Sequence, residues 1–152
     1  MGAEAVVTAR FKGKTATGKA RLETDVLQFR GGDLKLSIPF SQMSKIGARM
    51  RVWARDRNMW VRRASIVGLI PRARRGEALD LVYEIARRLH ADREDLIQKA
   101  VGWALREAGK TDMPRLERYL RANGAAIPRT TLRYAIERFP EKKRRAILAA
   151  TR

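Results

Sequence analysis

At Asp56 the apolar spacing of this chain switches from a period of two to a helical period, and that switch constrains the fold more than any other feature. Upstream, Val6, Thr8 and Arg10 alternate with Val7, Ala9 and Phe11. The turn-prone stretch GKTATGK follows, and Arg21–Arg30 then carries Leu22, Val26, Leu27 and Phe29. Gly31-Gly32-Asp33 is a hairpin signal, after which Leu34, Leu36 and Ile38 alternate with polar residues up to Pro39. Three or four short strands are predicted, with a helical turn at Ser41–Ile46. A sheet this small needs something to pack on.

Downstream, helices are predicted at 56–70 (ended by Pro71), 76–90, 93–109, 112–122, 128–138 and 141–150. Asp92 is placed to cap the third, and Asp112 the fourth, with Pro114 in its first turn. Asn123-Gly124 closes the fourth, and Pro140 separates the last two. Six helices on short connectors form about three antiparallel pairs, the grammar of a helical solenoid, although no fixed repeat length is visible. The chain therefore divides into a small antiparallel β segment, 1–48, and a mainly α domain, 49–152.

Charge narrows the function. Lys and Arg total 34 against 16 Asp and Glu, a formal charge of +18, which points to a polyanion: nucleic acid or an anionic membrane surface. Residues 1–48 hold 8 basic and 4 acidic side chains, leaving 26 and 12, a net +14, for the helical half. The densest clusters are Arg49–Arg63, Arg72–Arg75 and Lys142–Arg145. No cysteine is present and His90 is the one histidine, so no metal site and no cofactor are expected. With no long apolar run and no signal peptide, the expectation is a soluble cytoplasmic or nucleoid-associated protein.

Two helices carry anomalies. In IQKAVGWALREAGK, Ile97, Ala100, Val101, Ala104 and Ala108 form one stripe, while Lys99, Trp103, Arg106 and Lys110 gather opposite it. An indole bracketed by cations suits a sugar or base with phosphates alongside; equally, Trp103 is core for a second neighbouring helix. In DRNMWVRRASIVGLI, Arg63 projects from the apolar arc of Met59, Trp60, Ile66, Val67 and Ile70, and Arg62 lies round toward the polar side. A guanidinium there needs an anionic partner. That partner is either a carboxylate of a following helix, such as Asp95, or a phosphate.

VWARDRNMWVRRASIVGL, followed about thirty residues later by DLIQKAVGWALREAGKTD and then by IPRTTLRYAIERFP, resembles the C-terminal half of the AlkD-like DNA alkylation repair enzymes over about residues 52–152. The resemblance implies a HEAT-like helical-repeat domain and a duplex DNA partner, alkylated or not. It implies that Trp103 lines the lesion site against the deoxyribose and that Arg63 contacts the backbone nearby. Lys99, Arg106 and Arg62 would line the same basic concave surface. Trp53 and Trp60 read as packing residues. Residues 1–48 only loosely resemble part of a PH-like module, through LETDVLQFR and the turn IPF.

One departure weighs on activity. The family resembles itself in a further Trp and a catalytic Asp on a helix about 35 residues before the Arg63 position, a place that falls near Leu27–Gln28 here. Asp25 lies in strand-like sequence without a preceding Trp, and the Trp53–Asp56 pair has the wrong spacing. No residue is carried over as catalytic. The expected function is DNA binding of the alkylpurine glycosylase type, through a basic groove, with catalysis lost or reduced. The alternatives are an active glycosylase excising alkylated bases, and a basic scaffold for RNA, an anionic membrane or an acidic protein.

Overall fold

The computed structural model describes residues 3–23, 26–39 and 46–151. Strands β1 (Ala3–Phe11), β2 (Lys14–Leu22), β3 (Val26–Gly31) and β4 (Leu34–Pro39) form one antiparallel meander in that order. Helices α1 (Ile46–Trp53), α2 (Met59–Val67), α3 (Ile70–Ala73), α4 (Leu79–Leu89), α5 (Asp95–Gly109), α6 (Met113–Asn123), α7 (Arg129–Ala135) and α8 (Glu141–Ala150) follow. The protein is mainly α with a small β segment.

The first hairpin turns on Lys12 and Gly13, both at positive φ (47° and 81°), directly after the pair Phe11 and Lys14. Two positive-φ residues give a turn whose twist matches the strands. GKTATGK is therefore mostly strand rather than turn, because Lys12-Gly13 takes the reversal and Thr15 and Thr17 suit a pleated surface. The Gly31-Gly32-Asp33 signal does mark a hairpin, with Gly31 paired to Leu34. One sheet face carries Glu4, Thr8, Lys19, Arg21 and Arg30, exposed; the other carries Ala5, Val7, Ala20, Leu22 and Phe29, half-buried or buried. That inner face lies against α1 and α2 across an apolar cleft of about 200 Å³, lined by Leu22, Leu27, Trp53, Trp60 and Val61. Trp53 and Trp60, both half-buried, line this junction, and Trp53 also packs against the core.

The helical half differs from expectation at its beginning. α1 was not foreseen: its eight residues, IGARMRVW, include four basic or small residues, Gly47, Ala48, Arg49 and Arg51, and a weak apolar stripe, yet Met50 is fully buried in the core. Of the turn expected at 41–46, residues 41–45 lie outside the described residues. Nor does Pro71 end a long helix. α2 stops at Val67, and Pro71 sits in the first turn of α3, where a missing N–H costs nothing. Asn58 caps α2 by accepting from Trp60 N–H at 2.9 Å, and Asp112 caps α6 by accepting from Arg115 N–H at 2.9 Å. Asp92 stands outside the first turn of α5, where its Oδ1 instead accepts from Glu94 N–H. Gly124 opens a 3-10 turn after α6, and the helix expected at 128–138 stops at Ala135.

α5 is the hub. Its buried stripe is Ile97, Ala100, Val101, Ala104, Leu105 and Ala108, and α2, α3, α4, α6 and α7 all pack on it. α7 approaches closest at Gly102: a Cβ built there would stand 2.7 Å from Thr131 O and 2.4 Å from Tyr134 Cβ. Thr131 Oγ1 reinforces the contact by donating to Gln98 O at 2.9 Å. Leu22 of the sheet joins the same core, which runs through Ile66, Leu69, Ile85, Leu116, Leu132 and Ile136.

Candidate nucleic-acid interface

The partly exposed face of α5 is the stripe Lys99, Trp103 and Arg106, continued by exposed Lys110. It follows from the helical period: these positions stand about 200° from the centre of the buried stripe. Gly102, under α7, bounds the stripe on one side, and Glu107, bonded to Arg74 at the end of α3, bounds it on the other. Trp103 is only partly buried, packed against the core along one edge. No cation stacks on its ring among the described residues.

The cations beside the indole are not free. Lys99 Nζ pairs with Asp95 at 2.6 Å, and Arg106 pairs with Glu137, just past the end of α7. The Asp95 hydrogen bond and charge hold the Lys99 pKa above its usual value, with a smaller push from the nearby Tyr134 phenol. Lys110 bonds Glu107 at 2.8 Å, and Arg74 bonds the same carboxylate at 3.0 Å. Burial acts to raise the Glu107 pKa, but the Lys110 and Arg74 hydrogen bonds outweigh it and hold the carboxyl below its usual value. Glu107 is 1% exposed. It is thus a buried anion fully taken up in structure.

α2 packs on α5 and brings two adjacent arginines with opposite fates. Arg62 Nε donates to Asp92 Oδ2 at 2.6 Å, and its Nη1 donates to the carbonyls of Asp56 and Arg57 at 3.0 and 2.9 Å. The Asp92 hydrogen bond raises the Arg62 pKa. This guanidinium clamps the start of α2 to the α4–α5 connection. Arg63 is the reverse: half-buried, with Nε sealed from solvent and no hydrogen bond or ion pair to any described residue. Burial alone lowers its pKa, with no carboxylate acting on it. Asp95, the structural partner considered for it, is committed to Lys99. Of the two readings of Arg63, the structural pair is the one without a partner.

Among the described residues, the carboxylates that border the stripe, Asp95, Glu107 and Glu137, are each paired with a cation. The place about 35 residues before Arg63 is β3, where Gln28 sits opposite Ser37 and Arg21 in the sheet. Asp25 lies outside the described residues. Asp56 serves α2 by accepting from Asn58 N–H at 2.8 Å. Among the described residues no group of three or more His, Asp or Glu is arranged to hold a metal ion, and no helix is long and apolar enough to cross a membrane.

Sequence reasoning missed two residues that frame the stripe, Tyr134 and Glu137 of the α7 end. Tyr134 is 38% exposed next to Lys99, and Glu137 holds Arg106. Their one available signal was their spacing of three within the helix expected at 128–138, although α7 ends at Ala135 and Glu137 lies in the turn that follows. Nothing in sequence says that these residues meet α5.

Comparison with curated proteins returns no match. A family model described as DNA alkylation repair enzyme matches residues 37–139, from the end of β4 through α7. That span contains Arg62, Arg63, Lys99, Trp103 and Arg106 and covers more than half of the sequence. The chain belongs to the DNA alkylation repair enzyme family.

Proposed function

We propose that this chain binds duplex DNA along the α5 stripe and the adjoining Arg63, and that base excision is lost or much reduced. The observation that carries the reading is Arg63: a cation held half-buried with no partner among the described residues. A structural arginine at that depth would be paired, because an unpaired buried charge is costly. A backbone phosphate supplies the missing anion. Trp103 then offers its exposed edge and face to the sugar next to that phosphate. Lys99 exchanges Asp95 for a neighbouring phosphate at little cost, because exposed ion pairs are worth only about 0–1 kcal/mol; Arg106, 21% exposed, exchanges the half-exposed Glu137 at a greater cost. Arg62 stays on Asp92 and fixes the attitude of α2, since their side chains are only 19% and 9% exposed. The solenoid reading, a HEAT-like concave surface, supplies the groove.

Weak excision follows from the carboxylates. An oxocarbenium-like sugar needs a free anion beside it; Asp92 and Glu107 stay engaged by cations, and the place expected to supply the carboxylate, about 35 residues before Arg63, holds Gln28 in β3. The test is duplex binding by fluorescence anisotropy, together with release of alkylated base from methylated duplex. With three phosphates neutralised, affinity should fall about forty-fold between 50 and 200 mM salt, and Trp103→Ala should weaken it about tenfold. Binding that ignores salt, or binding indifferent to both Arg63→Gln and Trp103→Ala, refutes the interface. Efficient base release refutes the loss of catalysis.

A further inference from the structure

Apart from the α5 stripe, and sharing no residue with it, α4 and α6 enclose a cleft of about 350 Å³. Tyr83 and Tyr119 form its floor, their rings 4.8 Å apart and tilted by 41°. Arg87, Arg115 and Arg118 form its rim. The Arg115 guanidinium lies over the Tyr83 ring, 4.9 Å from the centroid, and its far side pairs with Asp80, whose carboxylate is almost fully exposed. Arg87 and Arg118 are exposed and have no hydrogen bond or ion pair to any described residue. The tyrosine hydroxyls do not neutralise this rim. Tyr119 Oη is taken by His90 Nε2 at 2.6 Å, and Tyr83 Oη is buried with no partner. Burial raises the pKa values of Tyr83, to about 12, and of Tyr119, so both phenols are neutral. Asp112, the other nearby anion, is occupied as the cap of α6.

Three guanidinium groups thus border one cleft whose nearby carboxylates are the solvent-washed Asp80 and the capping Asp112. On an ordinary charged surface such groups splay into water. Here Arg115 is fixed by a ring and the other two stand on the helices that flank it. We infer that the α4–α6 cleft binds a phosphate group between Arg87 and Arg118, with Arg115 as third donor and the tyrosine rings as floor. Phosphate fits better than carboxylate because its oxygens are spread tetrahedrally and carry more charge, so they can face three planar forks at once, whereas a carboxylate offers two oxygens in one plane. Asp80 is the weakest link and yields Arg115 readily. The phosphate belongs either to a nucleic-acid backbone or to a free phosphorylated compound; the chemistry of recognition is shared.

The test uses the full chain and pyrophosphate as probe, followed by NMR of arginine Nε–H and tyrosine ring signals. Saturable shifts of Arg87, Arg118 and Tyr83 are expected. The Arg87→Gln/Arg118→Gln double variant, whose replaced side chains are exposed, should lose at least tenfold in affinity with unchanged far-UV circular dichroism. Arg49→Gln, elsewhere on the surface, should change nothing. A short duplex added to the Arg63→Gln/Trp103→Ala variant separates the sources. The same signals moving identifies backbone phosphate, and the same signals still identifies a free phosphoryl compound. Shifts that never saturate, a double variant that binds normally, or a hexaglutamate peptide binding as well as pyrophosphate overturns the site. Because the probe is small and the α5 stripe is disabled in one arm, failure of the DNA-binding reading leaves this result intact.

Discussion

Replacing Arg63 by methionine should make the protein more stable and a poorer DNA binder. Arg63 Nε is sealed from solvent with no acceptor. An unmade hydrogen bond of a buried donor costs about 1–3 kcal/mol. Methionine keeps much of the stem's apolar contact, removes the donor and the charge, and adapts to irregular space. The expected gain is the lower part of that range, about 1–2 kcal/mol, since some of the guanidinium still meets water. For a chain of this size that is about 2–8 °C in Tm. The same substitution removes one phosphate contact, which should lower duplex affinity about tenfold and flatten the salt slope by nearly one unit.

Its neighbour calibrates the argument. Arg62→Met leaves Asp92, 9% exposed, without its cation, and frees the carbonyls of Asp56 and Arg57. Breaking a largely buried pair by removing one member costs about 3–5 kcal/mol. Adjacent residues of the same type should therefore give opposite signs in one thermal-unfolding experiment. If Arg63→Met destabilises the free protein as Arg62→Met does, Arg63 has a structural partner and the reasoning fails. If Arg63→Met raises Tm but leaves duplex affinity untouched, Arg63 is merely strained and has no phosphate to meet.

Further outcomes follow from the same contacts. Glu137→Gln releases Arg106 and should tighten duplex binding several-fold with a steeper salt slope; weaker binding would mean that the pair itself shapes the interface. Gly102→Ala forces a methyl into Thr131 O and Tyr134 Cβ and should cost about 1–3 kcal/mol by denaturant titration, with α7 displaced from α5. His90 is buried, and burial, aided by the Arg87 charge, lowers its pKa to about 4. Below the unfolded value of about 6.5 the unfolded chain takes up the proton first, so stability is complete above that pH and should drop by about 2 kcal/mol at pH 5. His90→Gln should abolish that part of the pH dependence in urea titrations at pH 7 and pH 5.

The sequence disclosed the helices best where a single face decides. Ile97, Ala100, Val101, Ala104 and Ala108 all proved buried, and the position of Trp103 outside that stripe could be read directly. Asp112 was legible because capping is local. What failed was decided by distant partners. α1 is helical because Met50 reaches the core and Arg51 reaches Glu84, 33 residues on, which no window of IGARMRVW contains. Pro71 was misread because a proline that ends one helix and a proline that begins another look alike. The ionic state of the candidate site was the least legible of all. Lys99, Arg106, Arg62 and Arg63 all read simply as cations in the sequence, yet among the described residues three are paired and Arg63 is not.

That sorting explains how so basic a protein can be selective about where it meets a polyanion. A charge of +18 spread evenly would bind DNA in any orientation. Here Arg62, Arg74 and Lys110 are spent on Asp92 and Glu107. Lys99 and Arg106 are held by exposed carboxylates that a phosphate can displace. Other cations without a hydrogen bond or ion pair among the described residues, such as Arg49, Arg87, Arg118 and Lys142, stand on exposed surface, and Arg63 is distinguished from them by depth. A phosphate approaching Arg63 displaces no carboxylate and fills an unmet donor, whereas one approaching Lys99 must first break a pair. On the proposed interface, the free-energy gradient along the surface would point toward α2 and Trp103. Mutating paired surface lysines should change the on-rate and the salt dependence, while changes at Arg63 should appear mainly in the off-rate.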